Sequence, residues 1–217
     1  MPPVQKPVSE DAELIDLPGP EKLNTDASLV ETISNRKSRR SFTDEPLELE
    51  ELSFLLWSTQ GIREKLSSGH AYRVVPSAGC RHAFETYIAV FNVNELNEAI
   101  YRYLPLEHKL VKVTEYKDMK EKVIRAARGQ KFVGNCAATF IWTTIPYRME
   151  WRYGEASYKV IAIDVGHVCQ NLYLACEAID SGTCAIAAYD QDLMDSLLEV
   201  DGEDEFTIYL APVGKIE

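Results

Sequence analysis

The chain has 217 residues, 46% hydrophobic and 26% charged, which is enough apolar material for one sizeable core. Its 34 acidic residues outnumber 23 basic ones, giving a formal net charge of −11 and a pI near 4.9, so general affinity for nucleic acid or an anionic membrane is disfavoured. The N-terminus lacks an apolar signal core, no run is apolar enough to span a membrane, and the five cysteines include no Cys-x-x-Cys pair, which points to reduced thiols in a cytoplasmic protein.

Residues 1–25 are rich in proline and acid and read as an extended arm, lying on the surface or on a partner subunit; residues 26–217 read as a single domain. Ser28 to Glu31 forms a capping box that starts a first helix with Leu29, Val30 and Ile33. That helix runs into "SNRKSRRSF", where Arg36, Lys37, Arg39 and Arg40 crowd together. Helical geometry there makes Arg36 and Arg40 i,i+4 neighbours. The next helix is "DEPLELEELSFLLWSTQGI", with Pro46 near its first turn and Gly61 as its stop. Ala83–Phe91 reads as a strand and "AIYRYLPL" as a shorter one pairing back on it. "TEYKDMKEKVIRAARGQ" is a helix with i,i+4 charge pairs, and Ala137–Ile145 an apolar central strand. "DVGHVCQNLYLACEAIDSG" is the strongest helix. Asp164 is placed to cap it, Val165, Val168, Leu172, Ala175 and Ile179 line one face, and its other face carries so few charges that burial on most sides is expected. Cys169 and Cys176 share a face of it as buried small hydrophobes. "EFTIYLAPVG" is a last buried strand. Helices first, then strands and helices mixed with a hairpin, make the class α+β.

None of His70, His82, His108 and His167 has a partner at metal-ligand spacing, so no metal site is expected. Gly-x-Gly-x-x-Gly and Walker patterns are absent. Four segments can carry chemistry. The first is Arg36-Lys37-Ser38-Arg39-Arg40. It is a solvated helix end, a kinase recognition site, a nucleic-acid patch, or a phosphate clamp of two arginine forks and a serine hydroxyl. The second is Val75 to Gly79, a plain tight turn or a backbone that passes close to a flat ligand. The third is "SGTCAIAAYD", a helix C-cap with a short strand, or backbone amides facing a ligand ring. The fourth is "APVGK", whose Lys215 matters if it meets the Arg36 cluster in space.

Arg36-x-Ser38-x-Arg40 behind a first helix, Pro76-Ser77-Ala78-Gly79 before a strand, "DVGHVCQNLYLACEA" followed by "GTCAI", and the closing "VGK" together resemble the FMN-dependent nitroreductase superfamily over residues 28–217. Residues 147–178 look most like its SagB-type dehydrogenase branch, which includes the azoline oxidases of peptide natural-product pathways. The resemblance implies an α+β nitroreductase-like fold, a mostly antiparallel central sheet flanked by helices, in an interlocked homodimer. It implies non-covalent FMN at the subunit interface, with NAD(P)H as electron donor and a small planar acceptor such as a nitroaromatic or quinone, in a ping-pong cycle. Arg36, Ser38 and Arg40 then take the FMN phosphate, with Lys215 as an additional contact. Pro76, Ser77, Ala78 and Gly79 line the isoalloxazine, and the backbone of Gly182 and Thr183 approaches its N5 and O4 edge. The alternatives are a SagB-type dehydrogenase with a dedicated substrate and a non-catalytic flavin-binding protein. Azoline oxidases use a Lys-Tyr pair as base. If "WRYG" is the matching place, the pair here is Arg152-Tyr153; arginine cannot act as a base at neutral pH, which leaves Tyr153 as the candidate catalytic residue. Cys80-Arg81-His82 follows the turn. An arginine or histidine beside the flavin would favour an anionic substrate or stabilise reduced flavin; plain surface exposure is the alternative.

Overall fold

The computed structural model describes residues 2–23, 25–66 and 71–217, so His70 lies outside the described residues. In chain order the elements begin with β1 (Leu14–Asp16), α1 (Leu29–Asn35), α2 (Leu49–Gln60), β2 (Ile62–Lys65), β3 (Ala71–Arg73), β4 (Phe84–Val90) and β5 (Ala99–Leu104). They continue with β6 (Lys109–Thr114), α3 (Met119–Ala126), β7 (Ala138–Thr144), α4 (Tyr147–Tyr153), α5 (Ser157–Glu177), β8 (Ser181–Thr183), α6 (Gln191–Leu198) and β9 (Phe206–Lys215).

Seven strands form one sheet in the order β1-β6-β5-β4-β7-β9-β8, and every pairing in it is antiparallel. β2 and β3 make a separate hairpin. The three central strands are buried on both faces because alternate side chains enter two different cores. Phe84, Ile88, Phe140, Trp142, Ala211 and Val213 face a layer that includes α2 and α5. Tyr87, Ala89, Ile141 and Leu210 face α3 and α6. Double burial explains why β7 reads as an unbroken apolar run rather than an alternating one. Among the described residues, no helix is long and apolar enough to cross a membrane.

Several local expectations hold. Ser28 and Glu31 form the reciprocal capping box of α1. Cys169 and Cys176 are buried, and all five cysteines are free thiols. Others are corrected. Pro46 lies outside α2, whose first turn is closed by a Glu48–Glu51 capping box. α5 starts at Ser157, seven residues before Asp164, so Asp164 is an interior residue and not the cap. The outer face of α5 is not covered within the chain. Ala162, Ile163, Gly166, His167 and Gln170 are exposed, and so are Leu29, Val30 and Ile33 of α1.

Part of the N-terminal arm joins the chain's own sheet: β1 pairs with β6. What holds the rest is a buried charge cluster. Glu85 accepts from Arg148 Nη2 at 2.5 Å, from Arg102 Nη1 at 3.3 Å and from the Lys6 backbone N–H at 2.8 Å. Arg102 also donates to the carbonyls of Lys6 and Pro7, and Arg73 to that of Val4. The Lys6 ammonium reaches Glu205 at 2.6 Å. Burial opposes ionisation of Glu85, but Arg148, Arg102 and Arg73 outweigh it and hold its carboxyl below the usual range.

Neutralising Glu85 leaves those buried arginines uncompensated, so Glu85→Gln is expected to cost about 3–5 kcal/mol in urea denaturation. Because the folded pKa is depressed, the contribution is complete at neutral pH and is lost as pH falls through the folded value. A destabilisation below about 1 kcal/mol would show that backbone carbonyls alone satisfy the arginines.

Candidate functional site

The cationic segment is extended, not helical. α1 stops at Asn35 because Arg36 leaves the helical region, with φ −53° and ψ 122°. Ser38 then bridges Thr183 of β8 in parallel, and the Arg39 N–H donates to the Thr183 carbonyl at 2.9 Å. Pairing with the sheet edge replaces the helical bonds, so Arg36 and Arg40 are not i,i+4 helical neighbours. In an extended chain alternate residues share a side, so Arg36, Ser38 and Arg40 are still grouped, now with period two. Arg39 is engaged differently. It pairs with Glu177 at 3.5 Å and packs on Gly182, where a Cβ would stand 2.6 Å from its side chain.

Tyr173 of α5 organises this segment. Its hydroxyl lies 2.9 Å from the Ser38 hydroxyl and accepts from the Ala185 N–H at 2.8 Å, while the Arg36 guanidinium sits 5.3 Å from its ring centre. Arg40 stands over Phe132 at 6.0 Å. Among the described residues, neither Arg36 nor Arg40 is paired with a carboxylate. Ser38, Arg39, Arg40, Thr43 and Glu217 are among the residues that border a cavity of about 330 Å³, and Arg36 is not. Lys215 is close in backbone only: its carbonyl accepts from the Thr43 N–H. Its ammonium is held by Glu51 at 2.5 Å and the Ile179 carbonyl at 3.0 Å.

The second segment is held by the other end of α5. The Ala78 N–H donates to both oxygens of Asp164, at 3.3 and 3.1 Å. Burial raises the Asp164 pKa against the opposing pull of the Ser77 hydroxyl and the Ala78 N–H. Gly79 has φ +57°, the left-handed region that glycine tolerates best. A Cβ there would come 2.5 Å from the Tyr153 hydroxyl and 3.1 Å from Arg152 Nε. The structure therefore brings Tyr153 and Arg152 against the Pro76–Gly79 turn. Arg81 donates to the Gly79 carbonyl at 2.7 Å and stands over Trp151. His82 is buried, and burial together with Arg73, Arg81 and Arg148 pushes its pKa down to about 3, so the ring is neutral.

Asp164 and Tyr173 are nine residues apart, which on a helix is about 180° of rotation and about 13.5 Å of rise. The turn and the cationic segment are thus mounted on opposite flanks of α5. A cavity of about 370 Å³ adjoins the turn, and it shares no lining residue with the one beside Arg40. Gly182 and Thr183 belong to the cationic side, where they seat Arg39 and Ser38. Reading the sequence overlooked Tyr173 and Glu51. A tyrosine at the edge of an otherwise apolar seam was the available signal for the first; nothing local signalled the second.

Independent comparisons agree with this architecture. Residues 33–215 match the model of the nitroreductase family. A Methanocaldococcus jannaschii protein provisionally named a nitroreductase is 28% identical over 201 residues, covering 93% of this chain and 96% of its own. A trifolitoxin-processing protein of Rhizobium leguminosarum is 26% identical over 158 residues, 69% of this chain and 41% of that protein. The crystal structure of a Ralstonia eutropha protein, also provisionally a nitroreductase, superposes with a TM-score of 0.77 at 26% identity, covering 97% of this chain and 92% of that one. With sheet order, helix placement and family match in agreement, this chain belongs to the nitroreductase family.

Proposed function

We propose that the chain is an FMN-dependent oxidoreductase, passing electrons from a reduced nicotinamide to a small planar acceptor, a nitroaromatic or a quinone, in a ping-pong cycle. One observation carries this reading. In a chain with a net charge of −11, Arg36 and Arg40 flank an exposed serine hydroxyl and pair with no carboxylate among the described residues. Two guanidinium forks and a hydroxyl match the charge and acceptor geometry of a terminal phosphate. FMN, when bound, supplies the reversible electron-accepting ring. The chain's own residues hold and orient: Tyr173 fixes Ser38, Asp164 fixes the Pro76–Gly79 turn, and the missing Cβ at Gly79 lets Tyr153 and Arg152 pack against that turn. Lys215, committed to Glu51, is assigned to anchoring β9 rather than to direct phosphate contact.

A homodimer completes the site in this reading. The turn and the clamp of one chain face different cavities, and a second copy brings the turn of one chain toward the clamp of the other. The uncovered apolar faces of α5 and α1 supply the contact. A second reading, a SagB-type dehydrogenase, is favoured by the similarity to the trifolitoxin-processing protein and by Tyr153 lying on Gly79. A guanidinium is a poor general base, so in that reading any proton transfer falls to Tyr153.

Arg36→Ala and Arg40→Ala should each weaken FMN binding by about 1.5–3 kcal/mol, the worth of a hydrogen bond to a charged group, in a flavin-fluorescence titration of apoprotein. Unchanged affinity in both variants rejects the clamp. Under anaerobic conditions NADH or NADPH is expected to bleach the flavin absorbance of the wild type and to do so equally in Tyr153→Phe. Absence of bleaching with both donors favours the dehydrogenase reading.

A further inference from the structure

The layer of α3 and α6 carries a charge pattern that the flavin reading leaves unused. From Lys117 to Lys131 the cations Lys117, Lys120, Lys122, Arg125, Arg128 and Lys131 stand against only Asp118 and Glu121, in a chain whose net charge is −11. All of these cations are exposed, and none forms an ion pair among the described residues. Lys122 and Arg125, three residues apart on α3, share a side of that helix. They border a cavity of about 230 Å³ whose other walls are Tyr116, Leu193, Ser196 and Leu197. The three α6 residues recur at i, i+3 and i+4, so α6 turns one leucine-bearing stripe toward the cations. No acidic side chain lines the groove among the described residues. Its walls are set in advance. The Tyr116 hydroxyl donates to the Leu197 carbonyl at 3.3 Å. Lys122 Nζ stands 5.2 Å from the Tyr116 ring centre, a contact that holds a cation without neutralising it. Met119, Val123, Met194 and Leu198 root both helices in the core on the face of the sheet away from α5.

We propose that this α3–α6 groove docks an acidic peptide segment that bears an apolar side chain. Leu193, Leu197 and the Tyr116 ring receive the apolar side chain, and Lys122 and Arg125 meet the carboxylates that flank it. Charge complementarity selects the occupant. Cations that face no carboxylate keep their capacity for one, and only a segment with its own apolar anchor gains from the leucine stripe. A nucleic acid fits less well, because the field of the acidic chain repels a polyphosphate and the groove offers leucines where bases need a run of rings. The groove contains no residue of the Arg36–Arg40 clamp or of the Pro76–Gly79 turn. A peptide held there therefore stays outside both segments, and the docking surface stands or falls independently of the flavin.

The test is fluorescence anisotropy of a rhodamine-labelled peptide, Glu-Glu-Leu-Phe-Glu-Glu, titrated with the full-length protein at low and at physiological salt. It is expected to bind about tenfold or more tightly than its neutral counterpart Gln-Gln-Leu-Phe-Gln-Gln, as for a charge-assisted contact. It should also outbind Glu-Glu-Ser-Ser-Glu-Glu, which lacks the anchor. The paired substitution Lys122→Gln and Arg125→Gln, both at exposed positions, should abolish the preference for the acidic peptide and flatten its salt dependence. Leu193→Ser should instead erase the advantage of the anchored peptide over the serine one. Arg63→Gln, which removes an exposed cation elsewhere, should change neither, and thermal melts matching the wild type show that the variants are folded. An acidic peptide that fails to outbind the glutamine peptide, or a preference that survives the paired substitution, overturns the proposal. Equal or tighter binding of a short oligothymidylate, lost in the same paired variant, overturns it in favour of a nucleic-acid surface.

Discussion

Because α5 buries Ile161, Val165, Val168, Leu172 and Cys176 against the sheet, its rotation about its own axis is fixed. With it are fixed the two polar side chains that border that apolar seam. Asp164 leaves on one flank and captures a backbone amide of the Pro76–Gly79 turn; Tyr173 leaves on the other and captures the Ser38 hydroxyl. Neither captured segment has regular structure of its own strong enough to choose a position. One is a single 3-10 turn and the other is an extended stretch held by an isolated bridge. Hydrophobic burial of a 21-residue helix thus sets the geometry of two loops, one held by Asp164 and the other by Tyr173 and Glu177.

The charges follow the same division of labour. An acidic chain keeps its overall field hostile to phosphate, yet groups its arginines in a few places. Arg102 and Arg148 are neutralised inside the fold by Glu85. Arg36 and Arg40 are left facing aromatic rings, which tolerate a guanidinium without cancelling it. A cation over a ring keeps its capacity to bind an anion, while a cation on a carboxylate has largely spent it. Lys215 illustrates the second case: at the end of β9 its carbonyl bonds Thr43 beside the clamp, yet its ammonium is tied to Glu51 of α2.

Much of the sheet was legible because double burial leaves a local signature. β4, β7 and β9 announce themselves as apolar, β-branched runs, and α5 as the longest stretch of helical periodicity. What escaped was decided by distant partners. β6 carries Lys109 and Lys112 and pairs with β5 and with β1 from the N-terminal arm, so only the assembled sheet makes it a strand. Asp164 looks like a helix cap because aspartate before an apolar run usually is one. Its carboxylate is instead taken by an amide 86 residues earlier in the chain. The Arg36–Arg40 spacing suits both a helix and a strand, since i and i+4 share a side in either. The grouping of Arg36, Ser38 and Arg40 was therefore readable while the conformation behind it was not.

The N-terminal arm carries a consequence for how the molecule is made. Lys6 meets Glu205 across 199 residues, and Arg102 grips the carbonyls of Lys6 and Pro7 across 96 and 95. Glu205, in turn, accepts from Tyr87 and Thr143, so its place depends on β9 being laid against β7. The arm therefore waits for a segment 199 residues later in the chain before both its anchors exist. Closing so long a loop is entropically slow, and it comes late on any route in which the central strands pair first. Until then the buried arginines of the sheet lack the carbonyls that complete their bonding, so the arm acts as the closing member of the fold, and the nascent chain is most exposed to misassembly before it docks.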